Sequence, residues 1–375
     1  MQLRRRQQAV TVGGAVVAMA LGLAACSSSS TTPAAAGSTP AGSGSSPAST
    51  PASSAPAASG TINAAGSTFQ LNFQQDAIAA FKSVDPSITV NYAGVGSGTG
   101  RADLYKSTVL FAGSDSPIPS KEASEVPAGA TVLYFPVQVG PIAIAYNLSG
   151  IKGLKLDAAV LSQIFQGQIT TWNNSAIAAL NPGVNLPSTS ITLAVRSDSS
   201  GTTANFSQYL VDAAGSAWKL GTSSLVKWPS TARAGSGGSG EASIVKSTPG
   251  AIGYVDFSTA TASGLSAATI KNSAGDWVAP STASAAAAAS QVTPAANLTF
   301  LAVDQPGATS YPITYQSWDL VYAKQPNAND VALLKAYLGY LLSSTGQALL
   351  TSLNLSPLPT SIDSAAVAQL SQITS

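Results

Sequence analysis

The sequence predicts an α/β fold, and three observations carry that prediction. From Thr61 onward, short β-like runs alternate with helix-like runs. The loops between them are rich in glycine and small hydroxyl residues. The chain has 375 residues, enough to bury a sizeable core in two domains. Alternating strands and helices favour parallel sheets covered on both faces. In such sheets ligands bind in loops at the carboxyl ends of the strands.

Ahead of the body lies a targeting segment. Residues 3–26 join a basic start, Arg4-Arg5-Arg6, to an apolar run from Val10 to Ala25 with small residues at its end. That run is short for a bilayer crossing and has the layout of a signal peptide over residues 1–25. Leu23-Ala24-Ala25-Cys26 resembles a bacterial lipobox, in which cleavage precedes the cysteine and the cysteine is lipidated. Cys26 is the only cysteine, so no internal disulfide is expected. Residues 27–60 contain only Ser, Thr, Pro, Ala and Gly. With no side chains to build a core, residues 26–60 are expected to form a lipidated, disordered tether.

Within the body, residues 70–84 place Phe73, Ala77, Ile78, Ala80, Phe81 and Val84 at helical spacing, and Asp85-Pro86 stops that helix. Residues 88–92 are β-like, residues 93–100 are expected to be a loop, and Val109-Leu110-Phe111 is a short apolar run. Residues 192–196 are strand-like and 203–211 helical. The apolar stretches 139–146 and 311–323 are candidates for crossings between domains. The Ala-rich run 282–290 is expected to be a surface helix, and the long helical pattern 328–350 to close the chain.

Charge narrows the function classes. Charged residues make up 9% of the chain, with 17 basic against 16 acidic. Removing the leader arginines tips the balance to the acidic side, which argues against a nucleic-acid partner. The chain has no histidine, so the commonest general base and transition-metal ligand is missing.

Four loops share one chemistry. They are Ala65-Gly66-Ser67-Thr68-Phe69, Gly96-Ser97-Gly98-Thr99-Gly100, Gly113-Ser114-Asp115-Ser116-Pro117, and the run from Arg196 to Thr203. Glycines let backbone approach a ligand, hydroxyls donate, and helix N-termini present free N–H groups. Together they suit an oxyanion held mainly by neutral dipoles, with Arg196 as a charged fork. The 94–100 segment superficially fits a nucleotide fingerprint, but the expected acidic residue is lacking in a matching βαβ unit. Ser216-Ala217-Trp218-Lys219 and Ser224-Leu225-Val226-Lys227 fit an S-x-x-K pattern, yet no K-T-G or S-D-N partner accompanies them. A serine hydrolase and a binder of sulfate or molybdate are the alternative readings.

At these loops the chain resembles the phosphate-binding protein of bacterial high-affinity phosphate ABC transporters. The resemblance rests on GSTF at 66–69, GVGSG at 94–98, GSDSP at 113–117, ITTWNNSAIAALNPGVNLP at 169–187, VRSDSSGTT at 195–203, VKWP at 226–229 and PGAIGYVDF at 249–257, and it covers residues 61–375. It implies a two-lobed, periplasmic-binding-protein-like (type II) fold with a hinge and an interdomain cleft. Residues 61–138 and 316–375 would form one lobe and 139–315 the other. It also implies a binding protein rather than an enzyme, without cofactor or metal. The expected partners are inorganic phosphate (as hydrogen phosphate), the permease subunits of an ABC importer and, through the lipid anchor, the outer face of the cell membrane. Carried over, the phosphate contacts are Thr68, Phe69, Ser97, Asp115, Arg196, Ser200, Gly201 and Thr202, with Asp198 orienting Arg196. Ser199 stands where relatives often have Gly and is expected to crowd its loop slightly. Trp172 and Trp228 match family positions and are expected to pack rather than touch ligand. A carboxylate among anion donors makes sense if Asp115 accepts a proton carried by the ligand, which sulfate lacks.

Overall fold

The computed structural model describes residues 58–375. The signal segment, Cys26 and the tether up to residue 57 lie outside the described residues.

The chain opens with β1 (Gly60–Gly66), α1 (Leu71–Val84), β2 (Ile88–Gly94), α2 (Ser97–Tyr105) and β3 (Phe111–Ser114). Helix α1 forms where the 3.6 period predicts, burying Phe73, Ala77 and Phe81 along one face. Each buried Phe contributes roughly 1.5–3 kcal/mol. Asp85 caps the helix, its N–H donating to Phe81 O, before Pro86. β1 pairs in parallel with β2 on one side and β3 on the other.

The glycine-rich segment 93–100 differs from expectation. Its first residues end β2 and its last four begin α2. Gly96, at φ +92°, makes the turn into that helix. Gly98 and Gly100 are there for close packing rather than looseness: a Cβ on Gly100 would fall 2.4 Å from Gly66 Cα.

β4 (Val132–Tyr146) is a 15-residue strand buried along nearly its whole length, as a near-continuous apolar run should be. After it come β5 (Lys155–Leu156), α3 (Ala158–Phe165), α4 (Ser175–Leu180) and β6 (Thr192–Arg196). Then follow α5 (Gly201–Ala214), β7 (Arg233–Gly235), α6 (Gly237–Ser247), β8 (Ala251–Asp256), α7 (Phe257–Ala262) and β9 (Ser266–Ala267). Next are β10 (Thr269–Lys271), β11 (Trp277–Val278), α8 (Thr282–Ala289) and β12 (Thr314–Tyr322). The chain ends with α9 (Ala328–Leu341), α10 (Ser344–Ser352) and α11 (Thr360–Gln369).

The main sheet runs β2-β1-β3-β12-β4-β8-β6-β7, with β9 also paired to β4; β11-β10-β5 form a small second sheet. Outer strands are parallel, as predicted, but β12 and β4 run antiparallel to their neighbours. β4 changes partner along its length: Val132–Pro141 pair with β12 and Ile142–Tyr146 with β8. Beside that change, Ile142 N–H donates to Ile313 O. The β4–β12 register shifts between Ser317 and Trp318, opposite Gln138 and Pro136, a bulge at a proline that has no N–H to give the ladder.

Two helical expectations need refinement. The Ala-rich helix α8 does lie at the surface, with Ala283 and Ala286 exposed, but it also buries a face: Ser284, Ala285, Ala288 and Ala289 are covered, because small side chains let it lie close against the sheet. The 328–350 pattern is two helices, and α11 follows them. Ser343 caps α10 by accepting from Gly346 N–H at 3.1 Å, and a Cβ on Gly346 would meet Tyr340 O at 2.2 Å. That close turn is what breaks the run.

Trp172 and Trp228 pack as expected. Trp172 is fully buried and donates to Gly250 O at 2.9 Å, and Trp228 packs tilted against Phe165, Trp218 and Tyr254.

Candidate functional site

The four loops meet at the carboxyl ends of β1, β2, β3 and β6. The loop after β1 leads through Thr68 and Phe69 into α1, and Phe69 stacks on Tyr315 with ring centroids 4.0 Å apart. Gln138 donates to Phe69 O at 3.2 Å. Phe69 N–H, assigned to the ligand by the family resemblance, donates here to Ser67 Oγ at 3.0 Å. Thr68 is half-buried and faces the start of α6, where a Cβ on Gly237 would lie 3.5 Å from its Cγ2.

Ser97 and Gly201 are the first residues of α2 and α5, so both helices present unpaired amides here. The two N-termini nearly touch. A Cβ on Gly201 would lie 2.5 Å from Ser97 Oγ and 2.5 Å from Asp115 Oδ2, so only glycine fits. Gly98 N–H donates to Ser199 O at 3.0 Å, joining the two loops directly. Ser200 caps α5, accepting from Thr203 N–H at 3.2 Å, and Thr202 is buried in its first turn.

Asp115 directly follows β3 and is 1% exposed. Its Oδ1 accepts from Ser317 Oγ at 2.5 Å and its Oδ2 from Ser97 Oγ at 3.3 Å. Its carbonyl accepts from Asn205 at 2.7 Å and Gln316 at 3.1 Å. Burial pushes its pKa up to about 6, against the opposing pull of Ser317, Ser67, the Arg196 charge and Ser97.

Arg196 ends β6 and is 5% exposed. Its Nε donates to Asp198 Oδ1 at 2.9 Å and its terminal nitrogen to Oδ2, a two-pronged pair. Burial alone would lower its pKa; the Asp198 hydrogen bond and charge outweigh burial and raise it. Asp198 is likewise held below the usual carboxylate range, because Arg196 outweighs its burial. Asp198 also accepts from Gly237 N–H at 2.9 Å, which ties the pair to α6. Arg196 N–H donates to Tyr254 OH at 3.1 Å, and that hydroxyl bonds Thr203 Oγ1 at 2.9 Å. Tyr254 stacks on Phe206, so the aromatic core holds the arginine strand.

Ser97, Asp115 and Gly201 therefore meet directly, Ser200 and Thr202 lie in the same helix start as Gly201, Arg196 is paired with Asp198, and Thr68 and Phe69 flank the start of α6 and Tyr315. Ser199 does more than crowd its loop: its hydroxyl bonds Ser224 Oγ at 2.9 Å, and a Cβ on Gly98 would meet that hydroxyl at 2.0 Å. That bond occupies the second S-x-x-K serine, while Ser216, Lys219 and Lys227 are exposed.

Several residues of the site escape sequence reasoning. Ser317, Gln316 and Asn205 hold Asp115 from distant positions. The start of α6 and the buried Asp256 flank Thr68: a Cβ on Gly238 would lie 2.9 Å from Asp256 Oδ2 and 3.9 Å from Thr68 Oγ1. The run Gly235-Ser236-Gly237-Gly238-Ser239-Gly240 carried the same glycine-hydroxyl signal as the four loops and was the available clue. Beside the site an open groove of about 600 Å³ runs past Ser116, Asn205, Phe300 and Leu301.

A family model described as the PBP superfamily domain matches residues 51–345. The chain is 38% identical over 286 residues to the phosphate-binding protein PstS 3 of Mycobacterium leprae (strain TN), covering 73% of this chain and 77% of that protein. It is 36% identical over 278 residues to the phosphate-binding protein PstS of Xylella fastidiosa (strain 9a5c), covering 72% and 74%. A solved phosphate-binding protein from Stenotrophomonas maltophilia shares the fold at a TM-score of 0.67 and 20% identity, over 82% of this chain and 93% of that one. The fold is thus periplasmic-binding-protein-like, and the chain belongs to the PstS phosphate-binding proteins of the PBP superfamily.

Proposed function

We propose that this protein captures inorganic phosphate, as hydrogen phosphate, and delivers it to the permease subunits of an ABC importer. The observation that carries the reading is the pairing of opposites at one buried carboxylate. Asp115, an acceptor, sits against the N-termini of α2 and α5, both donors, and Arg196 acts on it as the nearby positive charge. An oxyanion with no proton would meet Asp115 as a repelling group. One that carries a proton gives it to the carboxylate as a short, charge-assisted bond and takes the remaining donors on its other oxygens. Thr68, Phe69, Ser97, Arg196, Ser200, Gly201 and Thr202 would supply those donors, Phe69 by giving up its bond to Ser67. Asp198 keeps the guanidinium fork aimed. Such capture and release involves no turnover, in keeping with a family of binding proteins.

Residues 61–138 and 316–375 would act as one lobe and 139–315 as the other, with β4 and the entry to β12 as the hinge. The change of partner along β4 supports this division. Loops from both sides contact the same space, so the lobes should close on the ligand. The importer faces the outside of the cell membrane, and a lipidated Cys26 with its tether would keep the protein there. Among the described residues no helix is long and apolar enough to cross a membrane.

Calorimetric titration with phosphate and sulfate tests the reading. Saturable one-to-one phosphate binding with little or no sulfate binding is expected; absence of phosphate binding would contradict it. Small-angle scattering should show a smaller radius of gyration with phosphate, and an unchanged radius with binding confirmed would count against the hinge.

A further inference from the structure

Asp115 can discriminate by protons only if something fixes which of its oxygens faces the ligand and keeps that oxygen an acceptor. A buried chain of side chains behind it does so. Gln70, Gln74 and Ser317 are all fully buried. Gln70 Nε2 lies 3.0 Å from Trp318 O and 2.7 Å from Ser317 Oγ. A backbone carbonyl only accepts, so the nitrogen of the Gln70 amide must be on that side. Its other side agrees: Gln70 Oε1 accepts from Gln74 Nε2 at 3.0 Å, and Gln74 Oε1 accepts from Tyr337 OH at 2.7 Å. The two N–H bonds of Gln70 thus go to Trp318 O and Ser317 Oγ.

Ser317 Oγ is therefore an acceptor toward Gln70 and has one hydrogen left. Its possible acceptors are Asp115 Oδ1 at 2.5 Å and Ser114 O at 3.4 Å. The shorter contact takes it. Oδ1 is thus engaged by the short Ser317 bond, while Oδ2 has only the longer contact from Ser97 Oγ and is the oxygen freer to accept from a ligand. Oδ2 is the oxygen turned toward Ser97 and Gly201, where the ligand is proposed to sit. The β-bulge between Ser317 and Trp318 lies within this arrangement, as bulges beside binding sites often do.

We propose that Ser317, set in one hydrogen-bonding sense by Gln70, is a specificity-determining residue: it fixes Asp115 as a one-sided acceptor and so makes the site select proton-bearing oxyanions. The proposal rests on the phosphate reading above. Besides Ser317, Ser67 and Ser97, the charged group that acts on Asp115 is Arg196 from β6, which favours the ionised form; Tyr92 of β2 and Tyr315 of β12 also face Asp115, and its charge helps hold their hydroxyls protonated. Removing the Ser317 donor leaves burial less opposed. The carboxyl should then hold its proton to higher pH and lose its acceptor role earlier.

The test measures phosphate and sulfate dissociation constants from pH 5 to 9 for the native protein, Ser317→Ala and Gln70→Met. In the native protein phosphate affinity should fall as pH drops through about 6, where Asp115 takes up a proton. In Ser317→Ala this fall should move to higher pH. Phosphate affinity at pH 7 should drop about ten- to hundredfold, the range for a lost bond to a charged group. Sulfate, which needs no acceptor, should weaken far less, so the phosphate preference shrinks. Gln70→Met frees Ser317 to turn away and should shift both readouts the same way by a smaller amount. Native preference and native pH profile in a folded Ser317→Ala protein would overturn the proposal, since a residue that merely packs would leave both unchanged. If Ser317→Ala does not fold, the same unchanged readouts in Gln70→Met overturn it. A native protein that binds no phosphate sinks the phosphate reading instead, a different result from either.

Discussion

Arg196 takes its partner from its own loop: Asp198, two residues on, accepts from Nε and a terminal nitrogen along one edge of its guanidinium. Asp115 takes its partners from across the molecule. Ser317, 202 positions away, holds its carboxylate, and Asn205 and Gln316 hold its carbonyl. The donor half of the site is therefore complete once the β6–α5 turn has formed. The acceptor half exists only after β12 has paired between β3 and β4 and α5 has docked beside them. The two halves should fail differently when disturbed: the first by losing a local charge, the second by losing selectivity.

The largest expected effect comes from the local half. Arg196→Ala removes a buried, two-pronged donor and leaves Asp198 without its partner, so phosphate affinity should fall by about 3 kcal/mol or more, measurable by calorimetry. Arg196→Lys keeps the charge but not the fork and should recover only part of the loss. Recovery of full affinity in the lysine variant would show that charge alone matters.

The distant half is expected to reveal itself through stability and pH. Asp319, in β12 behind Ser317, is fully buried beside Gln74 Nε2 at 3.2 Å, and burial raises its pKa to about 7. A carboxyl with a raised folded pKa favours folding below its ordinary value, near 4. That contribution is lost as pH rises toward and through about 7. The ligand-free protein should thus melt at a higher temperature at pH 5 than at pH 8. Asp319→Asn should raise the stability at pH 8 by on the order of a few kcal/mol, and with it the melting temperature, and flatten the dependence. An unchanged pH 8 melting temperature in Asp319→Asn would contradict this.

A smaller effect is expected where the halves touch. Gly98→Ala puts a methyl 2.0 Å from Ser199 Oγ, on the contact made by the Gly98–Ser199 hydrogen bond. Phosphate affinity should fall about tenfold, although alanine is favoured over glycine in a helix by up to about 1 kcal/mol. Adding Ser199→Gly should restore affinity. If it does not, the loss does not arise from crowding between these two loops.

The same contrast explains what the sequence revealed. Helix α1, strands β2 and β6, the Arg196–Asp198 pair and the helix-opening loops are local patterns, legible from periodicity, glycine and hydroxyl spacing, and proline stops. Ser317 sits in a buried strand between Gln316 and Trp318, where one hydroxyl carries no local signal, and its role depends on its place in the sheet and on a glutamine in another element. The buried face of α8 was hidden because alanine suits both a surface helix and one pressed close to a sheet. The break at Ser343 was hidden because its hydroxyl cap looks like an ordinary exposed serine until the turn at Gly346 is known.

Competition binding of phosphate, arsenate and sulfate to the native protein and to Asp115→Asn tests the central claim most directly. The native site should prefer phosphate over sulfate by roughly 10⁴–10⁵-fold, the scale reached when the wrong ligand leaves a buried polar group unpaired. Arsenate, protonated much as phosphate is, should compete. Asp115→Asn replaces an obligate acceptor by a group that also donates, so phosphate should weaken, sulfate should gain relative to it, and the preference should collapse. A native protein that binds sulfate as tightly as phosphate, or an Asp115→Asn variant that keeps the full preference, would contradict the account.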